Sequence, residues 1–188
     1  MGLETQGGTR FCGRCGAPLA LRVPAGDDRE RHVCTACGAV HYRNPKIVVG
    51  CIAHWRGRVL LCRRAIEPRR GLWTVPAGFL EHGESAEAGA ARETLEEAGA
   101  RVGIDALHGI WSLPAIGQVY LLFRGRMRDA RVAAGAESLE AGLFAEEAVP
   151  WQAMAFPVVT QALRAWFEDR RRGRYRLHRG LVEATRWS

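Results

Sequence analysis

Apolar and polar positions divide this chain into recognisable blocks. KIVVGCIAHW (46–55) and RVLLCRRA (58–65) are apolar runs rich in β-branched residues, separated only by Arg56-Gly57. Two such runs around a two-residue turn signal predict a β-hairpin. GLWTVPAGFL (71–80) predicts a short strand running into a loop that contains Pro and Gly. RVGIDALHGIW (101–111) and IGQVYLLFRGRM (116–127), divided by Ser-Leu-Pro-Ala, predict two more strands, and SLEAGLF (138–144) another. Two segments carry a helical pattern. Residues 85–98 have Ser85 as N-cap and Gly99 at the natural stop, and Phe156 to Arg172 is amphipathic and ends at Gly173. Strands on both sides of the first helix predict an α/β fold, a mixed sheet with helices on its faces. The pattern changes at NPK (44–46), which sets the expected boundary between a small module, 1–44, and a main domain, 45–188.

Composition narrows the class. The chain has 188 residues, 47% hydrophobic and 25% charged, which is globular rather than disordered. The formal charge is +7, almost wholly from arginine, with Lys46 the single lysine. A calculated pI of 9.6 favours anionic partners without choosing among nucleotides, nucleic acid and an anionic surface. No apolar run approaches the ~18 residues of a membrane helix. MGLETQGGTR has no apolar signal core, and Gln6 stands where a myristoylation signal needs Ser or Thr. The expectation is a cytoplasmic protein with no membrane partner.

Four of the six cysteines form two pairs, Cys12/Cys15 and Cys34/Cys37, with 18 residues between the pairs. Two cysteines three apart can turn both sulfurs toward one ion, and two such knuckles complete a tetrahedron. A module of this size needs a staple, which structural Zn2+ would supply. Four thiolates leave no open position for catalysis. The alternative, two disulfides, needs an oxidising compartment. His32 and His41 read as surface or outer-shell residues, and Cys51 and Cys62 as small buried hydrophobes.

Residues 78–100, GFLEHGESAEAGAARETLEEAGA, hold six glutamates and one arginine, Arg92. On a helix at about 100° per residue, Glu96 lies about −60° and Glu97 about +40° from Glu93, so the three share a face. The opposite stripe, Ala88, Ala91, Leu95 and Ala98, is the one expected to pack on a core. Ala86, Gly89 and Ala90 are expected to leave open space for an anionic ligand at the other end of the glutamate face. A solvated acidic face is the competing reading. Against it, carboxylates at i, i+3 and i+4 repel one another, and the helix C-terminal half disfavours anions. A carboxylate-only oxygen site suits Mg2+ or Mn2+.

Gly78, five residues, Glu84, seven residues, then Arg92-Glu93-Thr94-Leu95-Glu96-Glu97-Ala98-Gly99-Ala100 resembles the Nudix box of the Nudix hydrolases, departing only at the aliphatic positions Thr94 and Ala100. The resemblance implies a Nudix α/β/α sandwich with a mixed sheet, preceded by a zinc ribbon. It implies Glu93 and Glu97 as principal ligands of a catalytic Mg2+ or Mn2+, with Glu96 sharing the site. Glu84 would assist, Gly78 would offer its carbonyl, and Arg92 would hold the glutamates. The activity implied is hydrolysis of the diphosphate of a nucleoside diphosphate derivative.

A four-cysteine ribbon before such a domain is similar to two subgroups. One comprises NADH pyrophosphatases, or NAD-capped RNA hydrolases, which carry Ser-Gln-Pro-Trp-Pro-Phe-Pro after the box; here that stretch reads RVGIDALHGIWSLP. The other comprises shorter plant chloroplast and bacterial members that cleave FAD or ADP-ribose to release AMP. HYRNPKIVVGC, GLWTVPAGFLEHGES, LPAIGQVYLLF and ESLEAGLF resemble the second. A homodimer rests on that resemblance alone. Candidate substrate-binding residues are Trp73, Phe79 and Tyr120 for stacking, with Trp111 beside them, Gln118 for a base edge, and Arg64 or Arg63 for phosphate. Core packing is the plainer role for half of the aromatics. Glu137 and Glu140 are candidates for a further ligand or base, or solvated loop residues. Two other readings stay open: hydrolysis of nucleoside triphosphates, and a nucleic-acid-binding ribbon protein with an inactive Nudix fold. In the latter, RRRGRYRLHR (170–179) would track phosphates; otherwise it is a basic, ragged tail.

Overall fold

The computed structural model describes residues 10–183. The chain divides after Asn44 into two units.

In the first unit, β1 (Leu19–Arg22), β2 (Arg31–Cys34) and β3 (Val40–His41) form a three-stranded antiparallel sheet. Each cysteine pair closes a tight turn: the Gly16 amide donates to the Cys12 carbonyl and the Gly38 amide to that of Cys34. Gly16 and Gly38 sit at φ +74° and +70°, the left-handed region that a side chain disfavours. These strands had no counterpart among the sequence expectations.

The second unit is built around β4 (Lys46–Trp55). β5 (Arg58–Arg64) returns from it through the Arg56-Gly57 turn, both residues with positive φ, as a twisted hairpin requires. The hairpin pairs only at His54–Val59 and Trp55–Arg58. Beyond that the two strands part, and the rest of that edge of β4 is taken by β7 (Ala77–Phe79), while β6 (Trp73–Thr74) pairs with β5. Gly50 stands at the fork, where a Cβ would come within 2.6 Å of the Ala77 Cβ and 2.8 Å of the Pro76 carbonyl. On the other edge of β4 runs β9 (Gln118–Met127), parallel, followed by antiparallel β8 (Val102–Leu113). With β10 (Ser138–Phe144) beside β5 and β11 (His178–Leu181) beside β8, the main order is β10-β5-β4-β9-β8-β11, a mixed sheet.

The sheet is covered on both faces, so its central strands are apolar at successive positions. Val48, Ile52, Val59, Leu61, Leu113, Tyr120 and Leu122 pack with α2 (Pro157–Arg172) through Val158, Val159, Leu163, Trp166 and Phe167. Val49, Cys51, Ala53, Leu60, Cys62 and Phe123 pack with α1 (Ala86–Ala98) through Ala90 and Ala98. Cys51 and Cys62 are buried, as expected of them. Both helices end at glycines in the left-handed conformation, Gly99 and Gly173, and Ser85 caps α1 through a bond from the Ala88 amide.

Three expectations fail. α1 does not bury Ala88, Ala91 and Leu95; Leu95 is 48% exposed. Its buried residues are Gly89, Ala90, Thr94, Glu97 and Ala98. The small residues expected to leave open space instead allow close approach to β4, and a Cβ on Gly89 would lie 2.9 Å from Val49. The basic segment after α2 is not a ragged tail throughout: β11 (His178–Leu181) adds parallel to β8 at the sheet edge. Tyr175 meets the Arg124 guanidinium, 4.6 Å from its ring centroid.

Candidate active site: an arginine-clamped glutamate cluster

Rotating the glutamate face inward sets α1 against β7. Gly78 is what permits it: a Cβ there would lie 2.3 Å from Glu93 Oε1. The Ala77 amide, one residue earlier, donates to Glu97 Oε2 at 3.3 Å.

Arg92 is the hub. Nε and Nη2 grip Glu84 as a fork, at 3.0 and 2.8 Å. Nη1 donates to Glu93 at 2.7 Å and to Glu96 at 3.0 Å. Nη2 also reaches the Phe79 carbonyl at 3.2 Å, tying the helix to the loop before it. One guanidinium therefore orders three carboxylates, a role its planar fork suits and an ammonium could not fill. Glu84 also accepts from the Glu81 amide. The Arg92 bonds, then that amide, hold its carboxyl down at about 2.

Glu93 and Glu97 are perturbed the opposite way. Burial pushes the Glu93 carboxyl above its ordinary value despite Arg92. Glu97 is 7% exposed. Burial first, then the charge of Glu93, pushes it up to about 8. Four carboxylates with one arginine leave an excess of negative charge in a partly desolvated place. A divalent cation held by oxygen ligands fits that donor set and would return Glu97 to its ionised form.

Around the cluster, the candidate substrate residues divide. Arg64 projects its charge onto Glu97 and Tyr120, donates from Nε to the Pro68 carbonyl at 2.8 Å and lies 5.2 Å over the Phe156 ring. Arg63 instead bonds the Gly71 carbonyl and pairs loosely with exposed Glu140 at 4.0 Å, so Glu140 is engaged away from the cluster. The negative charge of Glu137 bears on both Glu93 and Glu97, which puts Glu137 with them. Phe79 is 49% exposed, with Lys46 Nζ 4.9 Å from its ring. Gln118 opposes Lys46 across the β4–β9 pair, at the same end of the sheet. Trp73 is half-buried and edge-on to Phe144. Tyr120 is a correction: at 8% exposed it packs in the α2-side core, as does Trp111, and neither presents a free ring face. Lys46 went unread as a site residue, although its standing as the chain's single lysine was a signal. The Ala77 amide carries no side-chain signal at all.

In the first unit the four sulfurs converge, with Cys12–Cys37 at 3.8 Å and Cys15–Cys34 at 3.4 Å. A tetrahedral ion with ~2.3 Å bonds spaces its sulfurs about 3.8 Å apart, whereas a disulfide spaces them about 2.05 Å. The amides of Arg14 and Cys37 point at Cys12 and Cys34, and His41 Nε2 lies 3.2 Å from Cys12 Sγ. His41 is thus an outer-shell residue, and the geometry fits structural zinc.

Comparison with known proteins matches a family to each unit. Residues 10–43 match the zinc-ribbon family described as Nudix N-terminal, and residues 44–169 match the NUDIX domain. A crystal structure of a NUDIX hydrolase from Nitrosomonas europaea is 48% identical, covers 94% of this chain and all of its own, and superposes with a TM-score of 0.91. The NAD-capped RNA hydrolase NudC of Chromobacterium violaceum is 40% identical over 93 residues, 50% of this chain and 33% of that protein. An ADP-ribose pyrophosphatase of Methanocaldococcus jannaschii is 34% identical over 73 residues, 39% of this chain and 43% of that protein. The chain spans about a third to a half of the length of these curated relatives. With more than half of the chain inside the domain match, and the glutamates of its box gathered around Arg92, the protein belongs to the Nudix hydrolase family.

Proposed function

We propose that the protein is a metal-dependent pyrophosphatase that cleaves the diphosphate of FAD or ADP-ribose and releases AMP. The observation that carries this reading is the arginine-clamped cluster on α1, with Glu97 buried against the Ala77 amide. A Mg2+ or Mn2+ held by Glu93, Glu96 and Glu97 would neutralise the diphosphate and acidify a water. Arg92 and Glu84 keep those ligands in register. Gly78 keeps the approach to Glu93 clear of a side chain, and its carbonyl would be a further ligand. Arg64, Lys46 and the exposed ring of Phe79 provide positive charge and a stacking surface for a flat, anionic substrate. The ribbon cysteines Cys12, Cys15, Cys34 and Cys37 hold zinc that folds the first unit and takes no part in the chemistry.

Similarity to NudC favours a second reading, an NAD-capped RNA or NADH substrate. Against it, residues 101–114, where that subgroup carries its Pro-rich signature, read RVGIDALHGIWSLP, most of which is β8 with Trp111 and Leu113 buried. The test is a panel of FAD, ADP-ribose, NADH, NAD-capped RNA and 8-oxo-dGTP with Mg2+ or Mn2+, products resolved by chromatography. Faster release of AMP from FAD or ADP-ribose supports the first reading. Faster turnover of NADH or capped RNA moves the protein to the second.

A further inference from the structure

A second group of metal-competent side chains lies on the opposite face of the sheet from α1. His108 on β8, Asp169 near the end of α2 and His178 at the start of β11 each bring one donor atom within 4.8 Å of the others. His108 and Asp169 are fully buried. His178 Nε2 and Asp169 Oδ2 are 2.7 Å apart, and the Arg176 amide also donates to Oδ2 at 3.1 Å.

The hydrogen bonding of this group is incomplete in a particular way. His108 Nε2 lies 3.1 Å from the Ala162 carbonyl, which can only accept, so Nε2 carries the proton. Nδ1 is then the bare nitrogen, and it is buried without a partner. Asp169 Oδ1 is likewise buried without a hydrogen bond; the Arg176 Nε stands 3.7 Å away. Two buried lone pairs left open are unfavourable, and a partner that accepts both electron pairs would relieve them. A backbone carbonyl fixing one imidazole nitrogen while the other stays bare is how proteins orient a ligand histidine.

We propose that His108, Asp169 and His178 form a binding site for a transition-metal ion of the Zn2+ class, which fastens β11 to α2 and β8. Two imidazoles and one carboxylate make a nitrogen-rich donor set that selects such an ion over Mg2+, unlike the glutamates of α1. A tetrahedral ion with bonds of about 2.0–2.1 Å needs donors about 3.3 Å apart. His178 and Asp169 would open slightly and His108 would close, both on the scale of side-chain rotation. The positive charges of Arg176 and Arg124 bear on this pocket, so Arg176, which is half exposed, would swing outward on loading. No catalytic role is implied, and the site is independent of the proposed substrate.

The test measures tightly held zinc in the whole protein, loaded and then dialysed against excess Mg2+ to clear the glutamate cluster. Wild type is expected to hold two zinc ions per chain, one at the four cysteines and one here. His178→Gln keeps an amide donor to Asp169 and so keeps the fold, and it is expected to hold one. Added Zn2+ beyond one equivalent should raise the Tm of wild type and not of His178→Gln. One zinc per chain in wild type, or equal zinc in wild type and variant, would overturn the proposal and leave the group a hydrogen-bonded triad with a buried water.

Discussion

Replacing Glu97 by Gln should make the metal-depleted protein more stable while abolishing its response to Mg2+. Glu97 is 7% exposed, and its carboxyl is pushed from 4.5 up to about 8, by burial first and by Glu93 second. A carboxyl raised in the folded state contributes fully below its unfolded value, and that contribution is lost as pH rises through the folded one. From pH 4.5 to pH 7, at about 1.4 kcal/mol per pH unit, the loss is about 3 kcal/mol. It grows further to pH 8 and then levels off. Gln keeps the acceptor for the Ala77 amide and removes the charge. Thermal melts of wild type and variant, freed of Mg2+ and Mn2+ by dialysis, would be compared at pH 5 and pH 8. At pH 8, where the loss is about 4 kcal/mol, the variant should gain on wild type by roughly 8–16 °C, and most of the gap should close at pH 5. Saturating Mg2+ should raise the wild-type Tm and leave the variant within a degree or two. Parallel pH curves and equal Mg2+ responses would refute the reasoning, because Glu97 would then be neither strained by burial nor a ligand.

Other expectations follow from the same geometry. Gly78→Ala should cut kcat by about 10²-fold, because the new methyl takes the position of the Glu93 carboxylate. Its melting curve should stay close to wild type, since the clash falls on a side-chain end; unchanged kcat would remove Glu93 from the site. Arg92→Lys should lower kcat by a similar factor, since an ammonium cannot span Glu84, Glu93 and Glu96 together. A loss of less than about threefold, read by steady-state kinetics, would show the clamp to be dispensable. Cys34→Ala should unfold residues 10–43 and leave the amide resonances of residues 45–183 in place, seen by heteronuclear NMR. Dispersed ribbon resonances in that variant would argue against zinc as its staple.

Much of this architecture is legible in local pattern. The β4–β5 hairpin follows from two apolar runs around Arg56-Gly57, and α1 from Ser85 and Gly99. The box glutamates are found by spacing, and Arg92 by its place among them. What pattern misreads is the orientation of α1. The amphipathic rule turns apolar residues inward, but here the helix buries Glu97 and exposes Leu95, because its inward face serves a charged site as well as the core. β11 escapes for another reason. RLHRG has no apolar alternation, since an edge strand needs little, and it is attached by pairing with β8 and by His178 meeting Asp169. The strands of the first unit are too short for any periodicity, and their order depends on where the cysteines meet. The fork at Gly50 is a matter of backbone crowding between β4 and Pro76-Ala77, which no single-strand pattern records.

The central claim is that the carboxylates of α1 support divalent-ion-dependent hydrolysis of a diphosphate. Its most direct test is AMP formation from ADP-ribose by wild type and Glu93→Gln, each with Mg2+ and without it. The account expects AMP only from wild type with Mg2+, and a loss of at least about 10²-fold in the variant. AMP formed at equal rates by both proteins, or formed without a divalent ion, would contradict it.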